Sequence, residues 1–245
     1  MDVGPADRLD WTRWRCNGCG SFGYVNDPSP DELAQVYGLA RDDPHNMGAF
    51  AIGSTSEQIA NSLLNAVKWT PSNSKCLDYG GGKGHFSNTL MLRGCKDLTV
   101  FEPFGENPKI ASVNWINDLD NLGDELFDWI FMIEVVEHLL DPENELKRVR
   151  KYLAPGGKLV ITTPNAKGWR SRRAGFAWRE VQNPTHINLF SETTLKTCLL
   201  NAGFANATRV LRPVKYNAKG LAGIVLSITQ MTGLDGGLRF IAVNH

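Results

Sequence analysis

The stretch Lys75-Cys76-Leu77-Asp78-Tyr79-Gly80-Gly81-Gly82-Lys83-Gly84 constrains the fold more than any other part of the chain. Buried-strand residues run into an acid, and glycines then recur at 80, 82 and 84. The pattern predicts a strand over 75–79, a tight turn, and a helix from about His85 to Arg93. Such a hand-over belongs to a parallel α/β sheet and leaves room for a ligand at the strand end. Glycine lacks a Cβ, so backbone can approach a ligand closely and adopt positive φ. The helix that follows offers its first N–H groups to the same space. The dinucleotide spacing G-x-G-x-x-G fails in either register, because position 85 is His and position 87 is Ser. A phosphate loop needs Ser or Thr after Gly-Lys, and Gly84 follows Lys83.

The bulk composition narrows the class. A chain of 245 residues, 42% hydrophobic, can bury a sizeable core. Lys plus Arg equals Asp plus Glu at 26 each, so no global field attracts a polyanion, and general nucleic-acid binding is not expected. No apolar run approaches the roughly 20 residues of a membrane span. The start, Met1 to Pro5, lacks the basic and apolar opening of a signal peptide. Five cysteines without a regular framework fit a reducing cytoplasm.

Strand and helix patterns alternate through the rest of the chain, the sign of a parallel sheet. Expected strands are 75–79, 98–101, 112–116, 129–133, 158–162, 209–214 and 238–243. Expected helices are 28–37, 56–68, 142–153 and 191–202, with a turn at Pro155-Gly156-Gly157. The apolar segment 221–231 reads as a packed helix or an oligomer contact, which makes a homodimer one expected partnership. The fold expected is a Rossmann-like, doubly wound, mostly parallel seven-stranded sheet. Residues 1–54 form an N-terminal extension that packs on its edge and helps to cover the cofactor. Residues 55–245 form the main domain, with a lid around 165–190. Cys16 and Cys19 look like half of a zinc ribbon. A structural zinc site needs four ligands, so none is expected there.

Glu102 ends the second strand, 22 residues after Gly80, where an acid can accept from two vicinal ribose hydroxyls. Asp78 orients the loop. Ile133-Glu134-Val135-Val136-Glu137-His138 follows the fourth strand. If 134–138 form a helical turn, Glu134, Glu137 and His138 share one face. Two adjacent acids repel, and a cation with His186 as a further ligand relieves them. The lid segment 167–179 carries five basic residues and three aromatics, suited to an anionic or ring-bearing substrate.

The glycine loop resembles the first motif of class I S-adenosylmethionine-dependent methyltransferases. The E-x-x-E-H run, with Leu153-Ala154-Pro155-Gly156-Gly157 and Thr163-Pro164-Asn165, is similar to two groups among them: ubiquinone-biosynthesis O-methyltransferases and small-RNA terminal 2′-O-methyltransferases. The resemblance spans about residues 55–210. It implies S-adenosylmethionine held by Asp78, Tyr79, Gly80, Gly82, Gly84, Phe86, Glu102, Pro103 and Ile133. Asp118 is the candidate for the adenine amino group, with Asp120 as the alternative. It also implies catalysis by His138, His186 and Glu134. A divalent metal (magnesium, manganese, iron or zinc) on Glu134, Glu137, His138 and His186 is the other option. The activity expected is O-methylation of a small-molecule hydroxyl, a sugar or catechol-like diol. Methylation of an RNA end and a non-catalytic cofactor-binding scaffold are the rival readings.

Overall fold

The computed structural model describes residues 2–4, 12–26, 28–29, 31–33, 54–71, 73–105, 113–214 and 220–245. Strands β1 (Asp2–Gly4), β2 (Arg13–Arg15) and β3 (Phe22–Tyr24) form a small antiparallel sheet. The main sheet is built from β4 (Lys75–Tyr79), β5 (Asp97–Phe101), β6 (Asn114–Ile116), β7 (Phe127–Ile133), β8 (Leu153–Pro164), β9 (Asn206–Arg209) and β10 (Gly237–Val243). Their order is β6-β5-β4-β7-β8-β10-β9, and β10 alone runs antiparallel to its neighbours. The helices are α1 (Ser54–Ala66), α2 (His85–Leu92), α3 (Pro142–Lys151), α4 (Trp169–Ala174), α5 (Arg179–Gln182), α6 (Glu192–Asn201) and α7 (Gly220–Met231).

Strand alternation divides the core into two layers. Leu77, Ile130, Met132, Leu159, Ile161 and Phe240 face Leu146 and Val149 of α3 and Leu195 and Leu199 of α6. Cys76, Val100, Phe131 and Val160 face Ile59, Leu63 and Leu64 of α1 and Phe86 and Leu90 of α2. Burying each such side chain contributes roughly 1.5–3 kcal/mol, so the sheet is covered on both faces, as a doubly wound fold requires. Local signals agree with this packing. Asp141 accepts from Asn144 N at 3.0 Å and Pro142 opens α3. Ser191 and Thr194 form a capping box that starts α6.

The structure departs from sequence expectation where tertiary pairing overrides local pattern. The Pro155-Gly156-Gly157 turn is absorbed into β8, because Gly156 N donates to Asn244 O (3.2 Å) and Asn244 N to Gly157 O (2.9 Å). The strand expected over 209–214 lies earlier, at Asn206–Arg209, where it pairs with β10. The β1–β3 sheet went unread, since no strand runs longer than three residues. Of the helix expected over 28–37, residues 31–33 are helical and 30 and 34–37 lie outside the described residues, as do 106–112. Helix α7 leaves most of its large apolar side chains exposed. Gln230 holds it by accepting from Val214 N and donating to Val214 O, while Leu221, Ile224, Val225, Ile228 and Met231 are exposed. No helix among the described residues is long and apolar enough to cross a membrane.

Candidate active site

The glycine turn is fixed from behind and open in front. Gly80 N and Gly81 N both donate to Phe101 O, at 2.8 and 3.2 Å, tying the turn to the end of β5. Gly80 has φ +77°, and a Cβ there would lie 2.6 Å from Val135 Cγ2. A Cβ on Gly81 would lie 2.3 Å from Val100 Cγ1. Gly82, at φ +52°, has nothing within 4 Å of its missing Cβ, so the turn faces open space there.

Asp78 and Glu102 hold this turn. Asp78 is buried and accepts from both the hydroxyl and the backbone N–H of Ser87, so it anchors the first turn of α2, whose N-cap Gly84 has no side chain to offer. Burial pushes its carboxyl up to about 7 against the Ser87 bonds. Glu102 accepts from Gly82 N at 2.8 Å and from Phe104 N at 3.0 Å. Each carboxylate oxygen keeps a second lone pair for a ligand hydroxyl. Pro103 is exposed beside it, and Ile133 is half-buried at the end of β7.

Two expected cofactor residues turn inward instead. Tyr79 lies in the core, its ring 4.8 Å from Phe101 and its hydroxyl bonded to Glu145 of α3. Phe86 packs on Phe131 at 5.1 Å in the opposite layer. Strand and helix periodicity send both side chains into packing, leaving only backbone to face a ligand. Asp118 is exposed just after β6 and caps the following 3₁₀ turn through Asp120 N. Asp120 is engaged by Arg148 of α3 at 3.0 Å, so of the two acids Asp118 stands at the strand end without an ion pair among the described residues.

The second half of the site gathers at the end of β7. The helical turn expected over 134–138 forms only at Val136–His138. Glu134 instead takes left-handed backbone, φ +56°, held by Glu134 N donating to Thr162 O at 3.0 Å. Such strain in a non-glycine residue costs of order 1–3 kcal/mol and persists only where its surroundings enforce it. The donor atoms of Glu137, His138 and His186 lie within 4.8 Å of one another. Glu134 falls outside that group.

Each member of the group is oriented by a neighbour. Glu137 Oε2 accepts from Thr163 Oγ1 at 2.8 Å, and Glu137 Oε1 is buried with no hydrogen-bond partner. His138 Nδ1 lies 2.8 Å from Thr185 O, which makes it the protonated nitrogen and directs Nε2 toward the group. The His138 and His186 rings pack edge to face at 4.8 Å. His186 Nδ1 is buried without a hydrogen bond, with Glu180 Oε2 at 3.4 Å. Burial pulls His138 down to about 4 and His186 well below its usual value, so both rings are neutral at pH 7. Burial pushes Glu134 up to about 7, and burial with Glu134 alongside pushes Glu137 well above the carboxylate range.

Sequence reasoning missed Glu180, Thr163 and Thr185. Glu180 had a signal, being the single acid in the lid segment 165–190. Thr163 and Thr185 had none, because their roles arise from tertiary contact. In the lid, Trp178 is buried and Phe176 packs edge to face on Phe22 at 5.7 Å, whereas Trp169, Arg170, Arg172 and Arg173 are exposed. The N-terminal sheet therefore packs on the lid and the His186 loop. Cys16 and Cys19 stand in the β2–β3 turn with Cys19 N donating to Cys16 Sγ at 3.4 Å, and no further metal-binding side chain joins them among the described residues.

Residues 53–209, more than half of the chain, match the methyltransferase-domain family. The chain is 30% identical over 173 residues to a ubiquinone biosynthesis O-methyltransferase of Psychrobacter arcticus, covering 56% of this chain and 64% of that protein. It is 26% identical over 184 residues to a tRNA U34 carboxymethyltransferase of Ruthia magnifica, covering 66% and 57%. These matches thus span between about half and two thirds of the relatives' own length. Among solved structures, 1,6-didemethyltoxoflavin-N1-methyltransferase of Burkholderia thailandensis, which carries S-adenosylhomocysteine, shares the fold with a TM-score of 0.58. The two are 17% identical, over 100% of this chain and 99% of that one. With the seven-stranded sheet and the open glycine turn at the end of its first parallel strand, the chain belongs to this family: it is a class I S-adenosylmethionine-dependent methyltransferase.

Proposed function

We propose that the enzyme methylates a hydroxyl of a small molecule, a sugar or catechol-like diol, and that the Glu137–His138–His186 group receives that hydroxyl. The observation that carries this reading is the cluster of Glu137, His138 and His186 at the carboxyl edge of the sheet, in which Glu137 Oε1 is buried without a hydrogen-bond partner. An unpartnered buried polar atom costs about 1–3 kcal/mol, so a partner is expected to complete the site. A hydroxyl must give up its proton before or during methyl transfer, whereas a neutral amine already presents a lone pair. Buried acceptors beside the donor site therefore favour oxygen over nitrogen.

The bound S-adenosylmethionine supplies a methyl group on a positively charged sulfur, with a neutral thioether as leaving group. We assign its ribose to Glu102, its close approach to Gly80, Gly82 and Gly84, and its adenine amino group to Asp118. Asp78 maintains the turn from behind through Ser87. Positioning carries most of the rate in such a displacement.

The same cluster suits a divalent cation. One carboxylate oxygen and two neutral imidazoles form a donor set that favours manganese, iron or zinc over magnesium. Glu137, His138 and His186 would hold the ion, and it would lower the pKa of a bound hydroxyl. Without it, Glu137 or His186 accepts the hydroxyl proton, and His138, fixed by Thr185 O, orients the group. The exposed Arg170, Arg172 and Arg173 border the lid and suit an anionic acceptor. The test is transfer of radiolabelled methyl to a deproteinised metabolite extract, with and without a chelator, by wild type and His186→Gln. The reading predicts label in an ether-linked methyl and its loss in the variant. Label confined to nitrogen, or undiminished in His186→Gln, contradicts it, and the chelator arm decides between metal and general base.

A further inference from the structure

Among the described residues, side chains of the N-terminal sheet end on the loop that carries His186. Arg13 of β2 is completely buried, and its guanidinium lies 3.6 Å over the ring of Tyr24. Nη1 donates to His186 O at 2.5 Å and Nη2 to Asn183 O at 2.8 Å. Tyr24 Oη donates to Pro184 O at 3.1 Å. Phe22 and Leu189 exchange two backbone bonds, each 3.0 Å, at the far end of the same loop. Three carbonyls within four residues, 183, 184 and 186, are thus taken by two side chains of one hairpin.

No carboxylate pairs with Arg13 among the described residues, and burial pulls its guanidinium down to about 10. Burying a cation without a counter-ion is costly, and an apolar side chain would fill the same space at less cost. What an apolar side chain cannot do is fix the direction of those carbonyls. A planar fork with several donors in set positions does so. The loop in turn fixes the imidazole, because its carbonyl at Thr185 also meets His138 Nδ1 at 2.8 Å.

We propose that Arg13, seconded by Tyr24, is a positioning residue of the methyl-acceptor half: it holds residues 183–186 so that the His186 ring stays against His138 and beside Glu137. The functional consequence rests on the reading of His186 as a site residue, whereas the structural claim does not. The N-terminal hairpin is then a strut of the active site, reaching it through the chain's own backbone carbonyls.

Histidine-selective isotope labelling tests this on the full chain, which has five histidines. The His186 ring signal is assigned with His186→Gln, and His85, on α2, serves as an internal control. Arg13→Met is expected to shift or broaden the His186 and His138 signals and leave His85 unmoved. Affinity for S-adenosylhomocysteine should stay within about twofold, and kcat should fall on the order of tenfold or more. Arg13→Lys, which keeps a donor but not the fork, should recover part of both. Unmoved His186 and His138 signals in Arg13→Met, with cofactor affinity intact, overturn the proposal. If Arg13→Met does not fold, Tyr24→Phe decides: a smaller shift at His186 supports the strut, and no shift overturns it. Full methyl transfer by His186→Gln would remove the functional reading of His186 while leaving the strut to be judged by its signals.

Discussion

The two halves of the proposed active site, a donor half and an acceptor half, are built by different means. The donor half is local and made mostly of backbone. Residues 78–84 and 102–104 are adjacent in sequence or in neighbouring strands, and four of their contacts are amide N–H groups of Gly80, Gly81, Gly82 and Phe104. The acceptor half is assembled from side chains far apart in sequence. Glu137 depends on Thr163, His138 on Thr185, and the His186 loop on Arg13, 173 residues away. Backbone contacts do not depend on side-chain identity, so the donor half tolerates substitution more readily. Buried titratable side chains suit chemistry that needs a proton moved, and they make the acceptor half sensitive to single substitutions.

This contrast makes the halves separable by experiment, the donor half through cofactor affinity and the acceptor half through turnover. The largest effect is expected for Glu137→Gln. It should lower methyl transfer on the order of 10²- to 10⁴-fold, the range for a proton-handling group. Affinity for S-adenosylhomocysteine by calorimetry should be unaltered. A comparable loss of affinity would mean the halves are not separate.

Gly80→Val should do the reverse. Overpacking against Val135 costs about 1–3 kcal/mol and left-handed backbone a further 1–2, so cofactor affinity should fall about 100-fold. The His138 and His186 ring signals should stay in place. Glu102→Gln removes a charged acceptor of hydrogen bonds, worth about 1.5–3 kcal/mol, and should weaken cofactor binding about tenfold while leaving kcat at saturation near that of wild type.

A further prediction concerns pH and stability, not affinity or turnover. The Asp78 carboxyl titrates at about 7 when folded against an ordinary 3.8. A raised folded value means the folded state holds the proton more tightly. The stability it contributes is complete below about pH 4 and is lost as pH rises through 7, about 4 kcal/mol at most. Asp78→Asn should therefore flatten the fall in stability of the cofactor-free enzyme between pH 5 and 8, read by urea unfolding. An unaltered slope would assign the titration to Glu134 and Glu137 instead. His138, held at about 4, acts in the opposite sense, its contribution being lost as pH falls from 6.5 toward 4.

The same contrast explains what was legible in the sequence. Gly80, Gly82, Gly84, Asp78 and Glu102 could be placed because their spacing follows one strand, one turn and the next strand end. Tyr79 and Phe86 lie within that window, but alternation along β4 and the pitch of α2 turn their side chains into the core. Glu137, His138 and His186 were legible as residue types with chemistry, and the sheet edge brings them together. Glu134 was placed by a helical spacing that the chain does not adopt, since its left-handed backbone breaks the turn before Val136. Arg13, Thr163, Thr185 and Glu180 owe their roles to contacts that no local pattern encodes. Strands β1–β3 were hidden by their three-residue length.

In the proposed reaction the Glu137–His138–His186 group receives a hydroxyl. This is tested most directly by locating the transferred methyl. Wild-type enzyme and Glu137→Gln are incubated with trideuteromethyl-labelled S-adenosylmethionine and a deproteinised metabolite extract, and the labelled product is resolved by mass spectrometry and NMR. The expected product carries a trideuteromethyl group on oxygen, formed by wild type and lost in Glu137→Gln at undiminished cofactor affinity. A label on nitrogen or carbon, or equal transfer by the variant, contradicts it.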